Sequence, residues 1–105
     1  MRKSATKYPQ SIMQTKCECY FCHKTYDLDR HHSVPGNGNR KICEELGLWV
    51  WLCRKCHDKV HDKLEGYKEL QIDAQRAFIK DQRTKGFSEE VAREIWYSRF
   101  LKFYD

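Results

Sequence analysis

The sequence lacks any apolar run approaching the ~20 residues needed to cross a bilayer. Its opening residues, Met-Arg-Lys-Ser, show no apolar stretch like a secretory signal. These absences argue against a membrane partner and for a cytoplasmic location, where thiols stay reduced. There is no internal repeat and no low-complexity segment, and 105 residues suit one small domain. Acidic residues are the minority, 15 against 20 Lys and Arg, for a formal charge of +5. The imbalance is local: residues 1–64 hold twelve basic and seven acidic side chains, while residues 65–105 hold eight of each. A basic half suits a polyanionic partner such as DNA or RNA, because contacts to phosphates release counterions. Ordinary solvated surface charge is the competing reading, and charge alone does not decide between them.

What the sequence has is an unusual supply of metal-binding side chains, six cysteines and five histidines. A chain this short buries little surface and often needs a metal or disulfide staple. With reduced thiols, clustered cysteines point to metal. Cys19-x2-Cys22 and Cys53-x2-Cys56 form two CxxC pairs thirty residues apart. Together they can supply four thiolates to a tetrahedral zinc, a closed site with no open position for chemistry and therefore structural. Free buried thiols, disulfides and a redox pair are the alternatives. Cys17 lies close enough in sequence to confuse the ligand set, although the two-residue spacing favours Cys19 with Cys22. Cys43 has no partner at ligand spacing and reads as a small buried hydrophobe.

The organisation falls into three parts. Residues 1–16 read as a flexible basic lead-in, interrupted by Pro9. In residues 17–64, the segment Leu28–Val34 can be extended, Pro35–Asn39 (PGNGN) is a turn or loop signal, and Leu46–Leu52 (LGLWVWL) is strand-like and buried. From His57 the pattern HDKVHDKL reads as a helix. Residues 65–105 form a helical extension. Leu64, Tyr67, Leu70, Ala74, Ala77 and Phe78 mark one apolar face, and Gly86 ends that helix in a left-handed cap. Ser88 caps a second helix with Glu89 and Glu90 in its first turn, and Val91, Ile95, Phe100 and Phe103 form its apolar side.

The histidines cluster in or just after the insert between the two CxxC pairs. His23 has no partner at useful spacing and reads as structural or solvated. His31 and His32 are adjacent, so on a strand they face opposite ways. One can face a metal while the other reaches towards substrate. His57 and His61 are four apart, which places both on one helix face, at the spacing of paired metal-binding histidines. His57 also follows Cys56 directly, so a zinc knuckle there would tie the strand-side histidines to the helix-side ones.

The order CYFC, DRHH, LCRKCHDKVH over residues 19–64 resembles the HNH endonuclease family in its zinc-knuckle form. Residues 36–52 (GNGNRKICEELGLWVWL) and the ending RTKGFSEEVAREIWYSRFLKFYD are similar to a phage and prophage subgroup. The resemblance implies an α+β fold: a ββα-metal core, a four-cysteine zinc site and C-terminal helices. It implies a metal-dependent endonuclease hydrolysing DNA to 5′-phosphate and 3′-hydroxyl ends, of low sequence specificity and possible nickase action. By resemblance His31 is a metal ligand, His32 the general base and His57 the second ligand. His61 is either a third ligand or a contact to the scissile phosphate. The catalytic ion would be Mg, Mn, Ni or Zn, distinct from the structural zinc. Arg40, Lys41, Arg54 and Lys55 flank this set and are candidate phosphate contacts. The family's middle Asn has no counterpart in LGLWVWL, which makes this an HHH variant, with Asn37 or Asn39 as candidate braces for the base-bearing loop. The competing reading is a non-catalytic zinc-stapled module that binds DNA or protein. A phage or host assembly partner is a further alternative.

Overall fold

A computed structural model describes residues 10–36 and 38–104. Among them lie a two-stranded sheet and four helices, a small α+β arrangement: β1 (Leu28–His32), α1 (Asn39–Leu46), β2 (Trp49–Cys53), α2 (Arg54–His61), α3 (Tyr67–Thr84) and α4 (Glu89–Phe100). No helix among the described residues is long and apolar enough to cross a membrane.

β1 and β2 run antiparallel, with His31 opposite Val50 and His32 opposite Trp49. Alternation then divides the side chains between two faces. Asp29, His31, Val50 and Leu52 share one face, and Arg30, His32, Trp49 and Trp51 share the other. Val50 and Leu52 are fully buried and pack with Cys19, Cys53, Val60 and Leu70 into a core under α2 and α3. A second core joins Val34, Cys43 and Leu48 to Ala74, Phe78, Trp96 and Phe100. Trp96 is its centre, with its ring 4.3 Å from Phe100 and 5.6 Å from Phe78, centroid to centroid. Its indole N–H donates to the Lys102 carbonyl at 2.8 Å, which satisfies the buried donor.

Several boundaries differ from the sequence expectation. Residues 39–46, which carried no expected element, form α1, and Leu46 ends this helix instead of starting a strand. The strand begins three residues later, after the left-handed Gly47 (φ 73°) reverses the chain. α2 starts at Arg54 and not at His57, so the second CxxC straddles a strand–helix junction. Leu64 lies in the turn before α3 and is 62% exposed, outside the apolar face assigned to it. On α4 the buried side is Ala92, Trp96 and Phe100, spaced by four, and Val91 and Phe103 are exposed. The caps match expectation more closely. Gly86 stops α3 with positive φ, and the Phe87 N–H returns to the Gln82 carbonyl at 3.1 Å. The Ser88 hydroxyl accepts the Val91 N–H at 3.2 Å.

The expected flexible lead-in needs correction over residues 10–16; residues 1–9 lie outside the described residues. A two-stranded sheet leaves the outer edge of β2 with unpaired backbone groups. Residues 11–20 cover that edge. Ser11 Oγ donates to the Trp49 carbonyl, Gln14 Oε1 accepts the Trp51 N–H at 2.9 Å, and the Tyr20 N–H donates to the Trp51 carbonyl at 2.8 Å. The Ile12 N–H donates to the Gly47 carbonyl at 2.9 Å.

This lacing makes Gly47 more demanding than Gly86, although both have positive φ. A Cβ at Gly47 would stand 2.5 Å from the Gln10 carbonyl, whereas one at Gly86 meets nothing within 4 Å. Gly86→Ala should lose about 1 kcal/mol of stability from backbone strain. Gly47→Ala should lose roughly 2 kcal/mol or more, because the clash adds to the same strain. Urea unfolding of the two variants checks this; equal losses would mean that the edge lacing gives way freely.

Candidate metal centre and histidine cleft

Three local structures deliver the four thiols. The first knuckle supplies Cys19 and Cys22, the end of β2 supplies Cys53, and the first turn of α2 supplies Cys56. The knuckle closes on itself: the His23 N–H donates to the Cys19 carbonyl at 2.9 Å and the Cys19 N–H to the Lys24 carbonyl at 2.8 Å. His23 takes a left-handed conformation there (φ 68°), and its exposed ring meets Glu18 at 2.6 Å, in keeping with a solvated role. Gly66 (φ 88°) lets the chain pass beneath the knuckle, since a Cβ would stand 2.6 Å from the Phe21 ring.

The Sγ atoms of Cys19, Cys22, Cys53 and Cys56 lie within 4.8 Å of one another. Cys22 Sγ and Cys53 Sγ are 3.6 Å apart. A disulfide requires about 2.05 Å. Four sulfurs at ~2.3 Å from a tetrahedral zinc stand about 3.8 Å apart, close to the spacing observed. The cluster is thus close enough to hold a metal ion and is consistent with structural zinc. The four thiols differ in acidity. Burial works against the Cys19 thiolate, yet the N–H groups of Cys22, Cys53 and Phe21 outweigh it and bring this thiol down to about 6. Burial and the neighbouring thiols push Cys56 up to about 12. Four thiolates this close repel one another without a cation among them. Cys17 is exposed and lies outside the group. Cys43 is fully buried, and burial raises its thiol to about 11.

His31, His32, His57 and His61 line one cleft of about 310 Å3, together with Arg30 and Arg40. His31 and His57 approach edge to face, their ring centroids 5.2 Å apart. Burial, then the charges of His57, His32 and His61, hold His31 down to about 4, so its imidazole is neutral and can donate a lone pair. His57 Nδ1 lies 3.1 Å from Asp29 Oδ2. With that N–H donated to the carboxylate, Nε2 is the lone-pair nitrogen, an arrangement common among metal-binding histidines. On the opposite sheet face His32 Nε2 lies 3.0 Å from Glu44 Oε2. Donation to Glu44 leaves Nδ1 free to accept a proton. Burial lowers the His32 pKa, while Glu44 opposes the shift. His61 is 80% exposed at the rim, 3.7 Å from Asp62. Among the described residues, only the four cysteines gather three or more ligand atoms within the spacing quoted above.

The flanking cations separate. Arg40 lines the cleft; exposed Lys41 and Lys55 do not. Arg54 is engaged by Asp29 at 3.1 Å and Asp58 at 3.8 Å. Asn39 Nδ2 donates to the Pro35 carbonyl at 2.7 Å and so braces the loop after β1; Asn37 lies outside the described residues. Three residues at the site were not singled out from sequence: Arg30, which lines the cleft, and Asp29 and Glu44, which pair with His57 and His32. Asp29 was legible, since it stands two residues before His31 on a strand and must share its face. Glu44 carried no such signal, because α1 was not recognised as a helix. Comparison with family models, curated proteins and solved structures finds no match.

Purified protein should carry one zinc per chain at the cysteine cluster. Cys22→Ser and Cys56→Ser should lose it and unfold at lower temperature, whereas Cys17→Ser and Cys43→Ala should retain it. Elemental analysis with thermal unfolding tests this, and full zinc retention by Cys56→Ser would remove the four-thiolate assignment.

Proposed function

We propose that this chain is a metal-dependent DNA endonuclease of the HNH kind, in which β1, β2 and α2 form a ββα-metal core stapled by structural zinc. The observation that carries the reading is the convergence of His31, His32, His57 and His61 on one cleft. Hydrolysis of a phosphodiester needs a base for water and positive charge for the phosphoryl oxygens. His32 is the base: Glu44 holds its Nε2, and Nδ1 takes the proton from the attacking water. Its lowered pKa keeps it in the neutral form at neutral pH. His31 and His57 would hold a divalent cation, with Asp29 orienting the His57 ring. When bound, such an ion supplies Lewis-acid stabilisation of developing charge. Mg, Mn, Ni and Zn are all compatible with imidazole donors to different degrees. Arg40, on the cleft wall, would contact the phosphate backbone, and His61 would serve as a third ligand or as a contact to the scissile phosphate. Nothing in this set reads bases, which fits low sequence specificity.

A second reading, a non-catalytic zinc-stapled module that binds DNA or protein, draws on one observation: among the described residues, the cysteines alone are gathered as a multi-ligand group. Supercoiled plasmid distinguishes the two. Wild type should nick it in at least one of the four metals. His32→Ala should slow nicking by about 10²–10⁴-fold. Intact plasmid in every metal would leave only the binding module.

Glu44 acts through His32 as a positioning residue. Glu44→Gln should lower kcat roughly ten- to a hundredfold with KM little changed, and Glu44→Asp should recover part of the loss. A fall in stability without this kcat effect would reduce Glu44 to a structural contact.

A further inference from the structure

The charge-balanced C-terminal half separates its charges in space. Arg76, Lys80 and Arg83 follow one another on α3 at intervals of four and three, so they share a helix face. α4 brings Arg93 into the same groove, a cavity of about 590 Å3 that also takes in Gln75 and Glu89. Glu89 is the one acidic side chain among the groove's lining residues. It lies 3.6 Å from Arg83, and Arg93 stacks on the Phe103 ring at 4.4 Å. Arg76 and Lys80 are exposed, and neither forms an ion pair among the described residues.

Gln75 forms part of the groove's inner wall. It is fully buried, and its Oε1 accepts the Tyr104 N–H at 2.7 Å, which ties the C-terminal segment to α3 beneath the cationic row.

The length of the row favours a polyanion. The seven helical steps from Arg76 to Arg83 rise about 10 Å. One strand of B-DNA carries one charge per ~3.4 Å of axial rise, with neighbouring phosphates about twice that far apart through space, so the row can meet two successive phosphates. A single small anion would engage only one end. We propose that the α3–α4 groove is a second DNA-binding site, which takes the phosphodiester backbone of duplex DNA and reads no bases. It shares no residue with the histidine cleft, so it goes beyond the nuclease reading and does not depend on cleavage.

The test is anisotropy of a labelled duplex of arbitrary sequence across a salt series, with His32→Ala as the common background to prevent cutting. Arg76→Gln/Lys80→Gln should weaken binding about tenfold at moderate salt. It should also reduce the slope of log affinity against log salt by about 1.8, two phosphate contacts' worth. Lys68→Gln/Lys102→Gln removes the same charge outside the groove and should change affinity less than about twofold. Equal loss in both pairs, or no loss in the groove pair, overturns the proposal. So does displacement of the duplex by inorganic phosphate as effectively as by unlabelled duplex. Wild-type plasmid nicking is scored separately, so failure of the nuclease reading and failure of the groove are distinguishable.

Discussion

Everything in the N-terminal half depends on four thiols meeting in one place. The first knuckle, the last residue of β2 and the first turn of α2 are separate pieces of backbone, and a two-stranded sheet of five-residue strands is too small to hold them by itself. A metal within the thiol cluster would join all three and add folding free energy that the small core cannot supply. The junction matters most. Cys53 ends a strand and Cys56 lies on the first helical turn, so the second CxxC sets the direction in which α2 leaves the sheet. His57 follows at once, and its place beside His31 is a consequence of that direction.

The sheet then sorts the polar groups. Asp29 and His31 face α2, where Asp29 meets His57; His32 faces the other way and meets Glu44 from α1. Two imidazoles are thus each paired with a carboxylate, on opposite faces of one strand. Each carboxylate selects which ring nitrogen keeps the proton. In the proposed chemistry this separates the labour: one face orients a ligand, and the other orients a base. On the proposed HNH-like reading, other side chains stand in for the family's middle Asn. Asn39 ties the loop to the Pro35 carbonyl, and Glu44 holds the ring itself, so side chains of α1 and its first residue supply the bracing.

The parts legible in the sequence were those governed by short spacing. Two CxxC pairs, two histidines four apart and two adjacent histidines on a strand each follow from local periodicity, and the structure brings the cysteines into one cluster and the histidines into one cleft. The Ser88 and Gly86 caps were legible for the same reason. What escaped was tertiary. α1 is only eight residues long, with one fully buried side chain, Cys43, and follows a Gly-Asn-rich turn, so its two turns offered too few positions to read, and Glu44 was hidden with it. The N-terminal segment has no pattern of its own. It is ordered by the free edge of β2, a partner that exists only after the sheet has formed.

Charge illustrates the same limit. Residues 65–105 balance to zero in sequence, which made them look electrostatically inert. Helical spacing nevertheless collects three cations on one face of α3, and the α3–α4 packing adds a fourth beside a single carboxylate. Net charge therefore misjudges a helical segment, because a polyanion responds to local potential within a Debye length of about 8 Å at physiological ionic strength and not to the sum over the chain. On the proposed reading, a small domain that holds a highly charged duplex gains more from two separated cationic sites than from one. In that proposal the histidine cleft keeps the burial that lowers the His31 pKa, while the groove on α3 and α4 would carry the contacts that need only charge.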